Sequence, residues 1–160
     1  MTRPHTPHTH HAATLLMFIV LGGCTATAVQ PGMSRADVIA RMGQPTRVQP
    51  LEAGTRLQYS YQPAGQQVFN VDLDASGRVA QFRQMLVAQE FQRIGIGQWT
   101  RADVEHAFGP PAFVEHAAHW PGDILTYRWS NGQDMFYWVY LDAQNVVRRA
   151  EPGVQYYHDD

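Results

Sequence analysis

The sequence predicts an α+β fold built as two tandem two-layer units, each with one or two short helices packed on a three-stranded antiparallel sheet. Three observations lead there. The chain contains itself twice, each copy opens with the same helix-start chemistry, and each copy continues into short alternating apolar runs separated by turn residues.

The repeat is direct. Met33-Ser34-Arg35-Ala36-Asp37-Val38 returns as Trp99-Thr100-Arg101-Ala102-Asp103-Val104, and Gly43-Gln44-Pro45 returns as Gly109-Pro110-Pro111, both at a spacing of 66. After a two-residue shift, Leu57, Tyr59, Tyr61, Val71, Leu73, Asp74, Ala75 and Val79 answer to Leu125, Tyr127, Trp129, Val139, Leu141, Asp142, Ala143 and Val147 at a spacing of 68.

Each copy begins with a helix. Ser34 or Thr100 can accept from a backbone amide as N-cap, and Asp37 or Asp103, three places on, can reach back to the cap's own amide. Met33 or Trp99 stands where a hydrophobic staple would pack on Val38 or Val104. The glycine of Gly43 or Gly109, with prolines close behind, stops the helix. Fewer than three turns long, such a helix is marginal alone and must bury its apolar stripe on something else.

The strands supply that surface. Leu57 to Tyr61 and Leu125 to Trp129 alternate, Val68 to Leu73 and Met135 to Leu141 follow, and third strands begin at Arg78 and Val146 after Asp-led turns. Between the copies, Leu86 to Ile94 has apolar residues at Val87, Phe91 and Ile94. It is expected to form an extra helix, with continuation of the third strand as the alternative. The first copy has only the small, polar stretch Thr25 to Gln30 in the corresponding place.

Ahead of the repeats stand Arg3 and a cluster of histidines, then an apolar run from Ala12 to Leu21, then Gly22-Gly23-Cys24. The run is the length of a signal-peptide core and is shorter than the roughly 20 residues a transmembrane helix needs. The expected organisation is a signal peptide over 1–23, a first repeat over 24–85, a second over 86–155 and a polar tail over 156–160. Leu21-Gly22-Gly23-Cys24 resembles the lipobox of bacterial lipoprotein precursors. That resemblance implies a thioether-linked diacylglycerol on Cys24, cleavage before it and acylation of the new amine; cleavage near Ala26 or Ala28 is the ordinary secretory alternative. Thr25, rather than an aspartate, follows the cysteine, which resembles the default for sorting to the outer membrane.

The mature chain would hold 137 residues, enough for one ordinary domain or two very small ones, and its one cysteine allows no internal disulfide. Every basic side chain is arginine, and beyond residue 23 eleven arginines face fourteen acidic residues. A net charge near −3 argues against nucleic acid as a partner, because phosphate neutralisation requires a basic face.

Pro31-Gly32-Met33-Ser34-Arg35-Ala36-Asp37-Val38, Gly43-Gln44-Pro45, the aromatic strand at Tyr59 and Leu73-Asp74-Ala75-Ser76-Gly77-Arg78-Val79 together resemble the SmpA/OmlA (BamE-like) family of outer-membrane lipoproteins. The second copy keeps Thr100 to Val104, Gly109 and Leu141-Asp142 but has Gln98-Trp99 and Asn145 where the first has Gly32-Met33 and Gly77. The resemblance implies two helices on a three-stranded sheet and a non-enzymatic outer-membrane lipoprotein, facing the periplasm. Its implied role is to support β-barrel assembly or envelope integrity through protein contacts, with the barrel assembly machinery as the implied partner. Duplication departs from the family's usual single domain, and a pair of such units is also similar to the β-lactamase inhibitor protein. That similarity implies the alternative of an inhibitor or scaffold gripping another envelope protein.

The two copies diverge on one face. Phe69, Val71 and Leu73 match Tyr137, Val139 and Leu141, the expected helix side, whereas Val68, Asn70 and Asp72 become Phe136, Trp138 and Tyr140. All four tryptophans, Trp99, Trp120, Trp129 and Trp138, lie in the second copy. Phe136, Trp138, Tyr140 and Trp129 are therefore the candidate partner-binding residues, since aromatic side chains anchor interfaces. The competing expectation is that this face packs on the first copy or under the tail. His116, His119, His106, Glu115 and Asp123 offer metal-ligand chemistry, but their spacing fits no zinc signature, and no metal or cofactor is expected. No Gly-x-Ser-x-Gly or phosphate-cradling loop occurs.

Overall fold

Ser34 and Thr100 start the two main helices of the computed structural model, which describes residues 29–154. The signal segment, Cys24 and the tail lie outside the described residues. Helix α1 (Arg35–Met42) and helix α3 (Arg101–Phe108) carry complete capping boxes: the Ser34 or Thr100 hydroxyl accepts from the amide of Asp37 or Asp103. That carboxylate in turn accepts from the cap's own amide. Gly43 and Gly109 end both helices at positive φ (80° and 75°), where any Cβ would be strained.

Each helix lies on an antiparallel sheet. The first is β1 (Arg47–Leu51), β2 (Gly54–Ser60), β3 (Val68–Asp74) and β4 (Val79–Gln84), in that spatial order. The second is β5 (Phe113–Glu115), β6 (Ile124–Ser130), β7 (Asp134–Leu141) and β8 (Val147–Val154), also in order. The α+β class and the two similar units are as expected, but each sheet has four strands where three are read from sequence. The added strands are edges. Arg47-Val48-Gln49-Pro50-Leu51 is broken by a proline, and Phe113-Val114-Glu115 is three residues long and exposed throughout, so neither shows buried alternation.

Equivalent details recur in both units. A bulge interrupts the register after Asp72 and after Tyr140, and the helix caps bridge to Arg78 and Val146. The buried Tyr59 and Tyr127 hydroxyls donate to the carbonyls of Gly43 and Gly109 (3.1 and 2.8 Å), tying each sheet to the end of its helix. Burial pushes the Tyr127 hydroxyl pKa far up.

Alternation along β2 and β3 turns Leu57, Tyr59, Val71 and Leu73 toward Val38 of α1, and these residues with Val29 and Val79 make the first core. The second core joins Val104 and Phe108 of α3 to Leu125, Tyr127, Trp129, Tyr137 and Val139. The link between units forms a short helix, α2 (Ala88–Phe91), where the longer Leu86 to Ile94 pattern leads one to expect a helix. Its Phe91 stacks on Tyr137 (centroids 3.8 Å apart, planes 2°) and on Phe108, and it meets Trp129 edge-on. On the first sheet, Phe82 stacks on Phe69 at 5.3 Å, where the second sheet has Ala150 and room for Phe91. Tyr61, the counterpart of Trp129, is consequently half exposed.

Candidate functional site

The two cores face the same way, so each sheet has a back. In matching register, one back row of the first sheet reads Arg47, Gln58, Asn70, Arg83, and that of the second reads Phe113, Thr126, Trp138, Glu151. The adjoining row changes from Gln49, Arg56, Asp72, Gln81 to Glu115, Ile124, Tyr140, Arg149. One back is polar; the other is aromatic.

The polar back is occupied by α3. A helix leaves its last carbonyls without intrahelical donors. Asn70 Nδ2 donates to Ala107 O (2.8 Å), Gln58 Nε2 to His106 O (3.3 Å) and Asn70 Oδ1 (3.0 Å), and Arg56 Nη1 to His106 O (3.3 Å). Arg56 is itself held by Asp72 through two bonds of 2.6 and 2.8 Å. Gln58 and Asn70 are fully buried, yet each bonds the helix end, which is why polar side chains stand where a core would otherwise be apolar. The positive guanidinium also suits the negative end of the helix dipole. Burial, then the nearby Arg56, hold the His106 imidazole below its ordinary pKa.

Two further struts fix the units together. The Gln62 side-chain amide donates to Arg128 O (2.8 Å) and accepts from Arg128 N (3.1 Å), pairing with β6 as a strand residue would, beyond the point where β5 has ended. Val68 and Met85 of the first unit are buried in the second unit's core. The layers thus run α1, first sheet, α3, second sheet.

The aromatic back carries no helix among the described residues. Phe136, Trp138 and Tyr140 stand there together, all partly exposed. Phe113, 45% exposed, meets Phe136 edge-on; Trp120 meets Tyr140 at 5.2 Å and is pinned by its indole N–H to Leu141 O (2.5 Å). Trp138 lies over Gly153, where a Cβ would fall 2.0 Å from its ring, so glycine is needed there for the indole to lie flat on β8. Arg149 sits 4.8 Å above the Tyr140 ring and pairs with Glu151. Burial and then Glu151 raise the Tyr140 hydroxyl pKa.

Trp129 does not belong to this face. On β6 the core side takes Leu125, Tyr127 and Trp129 by alternation, and Trp129 is 5% exposed with its indole N–H donated to Phe136 O. Its side chain serves the core under α2. The histidine-rich stretch is likewise dispersed: His116 is exposed and pairs with Asp123 (3.3 Å), whereas His106 faces the first sheet from α3. Among the described residues no three metal-ligating side chains come together. Sequence reading also passes over Arg56, Gln58 and Asn70. Their signal is that Arg56 and Asn70 stand in one unit where the other has Ile124 and Trp138.

Residues 25–83 match the family model described as the outer membrane protein assembly factor BamE domain. No curated protein matches the chain. A solved structure with similarity is a DUF4309 family protein (YjgB) from Bacillus subtilis, 14% identical, covering 76% of this chain and 78% of that one with a TM-score of 0.31.

Proposed function

Since residues 25–83 belong to the BamE domain family, we propose that this protein is a lipid-anchored, periplasm-facing component of the outer membrane that supports β-barrel protein assembly through protein contacts and carries no catalytic activity. The family match carries the reading. Cys24 after the apolar run supplies the anchor: a diacylglyceryl thioether and an acylated amine give it the several chains that stable membrane attachment needs. The second unit, with its matching caps, bulge and tyrosine tie, is read as a diverged copy whose aromatic back is the partner-binding face.

The test is a crosslinking purification from membranes with a C-terminal tag, with the Cys24→Ala form as the unanchored control. Recovery of barrel assembly components, with a fall in β-barrel protein levels on depletion, is the expected result. Unchanged barrel levels and a purification lacking every assembly component would overturn it. One observation favours a second reading, a scaffold or inhibitor of a different envelope protein: Phe136, Trp138 and Tyr140 gather, partly exposed, on one face that carries no helix among the described residues. Recovery of a single unrelated envelope protein, lost when these three are replaced by small polar residues in a chain that still folds, would select it.

A further inference from the structure

The molecule contains its own template for what an uncovered sheet back accepts. On the first sheet, the back seats an α-helix, with Asn70 donating to a carbonyl at the helix's C-terminal end. On the second sheet, the same register position is Trp138, whose indole N–H has no acceptor among the described residues. The rows around it have exchanged donors for rings, so a helix seated here would be held by an apolar stripe over Phe113, Phe136 and Tyr140. Its carbonyl end would meet the Trp138 donor.

We propose that the aromatic back of the second sheet seats an amphipathic α-helix of a partner polypeptide, as the back of the first sheet seats α3. The tether argues against the bilayer as the occupant; this step rests on the lipidated Cys24 of the functional reading. Val29 is buried on the α1 side of the first sheet, and only four residues separate it from Cys24, a reach of at most about 17 Å over five peptide steps. First and second sheets are separated by two layer spacings of roughly 10 Å each, and Val29 lies beyond the first. The aromatic face therefore lies farther from the anchor than the tether reaches, so it cannot lie flat on the anchoring leaflet.

The test is photo-crosslinking from the full lipidated chain in its own envelope. A photoreactive phenylalanine analogue, which keeps the aromatic ring, is placed at Phe113, 45% exposed, and in a second variant a photoreactive residue is placed at Glu151 on the rim, with adducts mapped to residues by mass spectrometry. Capture of a protein is not the readout; the spacing of the adducts on it is. Adducts recurring at three, four and seven residues along one partner segment mark a helix, and Trp138→Ala should lower their yield at least about tenfold, as loss of an aromatic anchor does. Adducts at every second residue would mean an extended strand, and adducts on lipid, on a second copy or on residues 155–160, or no adduct from either site, would equally overturn the proposal. A helix from a protein outside the assembly machinery would sustain this inference and overturn the functional reading. An extended segment of an assembly component would do the reverse.

Discussion

Asn70 shows what one side chain does between the units. Fully buried, it accepts from Gln58 Nε2 and donates to Ala107 O, so Asn70→Ala leaves one of the two Gln58 amide N–H groups and a helix carbonyl without partners. Each orphaned group costs about 1–3 kcal/mol, and urea denaturation should show a loss of roughly 2–5 kcal/mol for the variant. The matching Trp138→Ala should cost far less folding stability than Asn70→Ala, because its indole is partly exposed and has no hydrogen-bond partner to strand. Beside Asn70, His106 faces Arg56, Asp72 and Arg47 and is held below its ordinary pKa by burial and then by Arg56. The unfolded chain therefore binds its proton first as pH falls: stability from this group is complete above about 6.5 and declines as pH drops toward the depressed folded value. Denaturation midpoints measured between pH 7.5 and 5 should fall, and His106→Gln should flatten that slope.

At the scale of the element, the helices are the most legible part of the chain, because a capping box is written in four consecutive residues. Thr100→Ala removes the acceptor for the Asp103 amide and should lower stability by about 1 kcal/mol, read as a shift in the urea midpoint. Asp37 and Asp103 have lowered pKa values, from hydrogen bonds to their caps. Their contribution is present above the ordinary carboxylate pKa of 3.8 and is lost as pH falls through the lower folded values. An acid titration of Asp103→Asn should accordingly show a shallower loss than the parent chain. The edge strands were not legible, since β5 has no buried residue and β1 carries Pro50. Helix α2 is legible only as a pattern of apolar residues: its four residues gain their order from Phe91 lying between Tyr137 and Phe108, a tertiary contact with no local signature. Trp129 lies in the core for the same reason. Its type suits an interface as well as a core, and only the alternation of β6 beneath α2 decides between them.

Across the whole molecule, the repeat predicts two units but not how they join. Nothing local in the sequence marks Asn70 and Gln58 as the residues that meet α3, or Gln62 as the residue whose amide pairs with Arg128. The join makes the second unit depend on the first: Val68 and Met85 complete its core, and three side chains of the first sheet satisfy the last carbonyls of α3. Two separate domains would melt in two steps, whereas an interface this integral couples them. The full chain should unfold in one transition by calorimetry, with the calorimetric and van't Hoff enthalpies equal. A fragment of residues 86–154 would expose the core surface that Val68 and Met85 cover and lose the side chains that bond His106 O and Ala107 O. It should lack the sharp near-ultraviolet circular dichroism that packed Trp129, Phe91 and Tyr137 give the intact chain, and show no cooperative melt. A fragment that melted cooperatively within a few degrees of the parent would mean that the first sheet merely rests on α3, and that its polar back is free to serve a partner of its own.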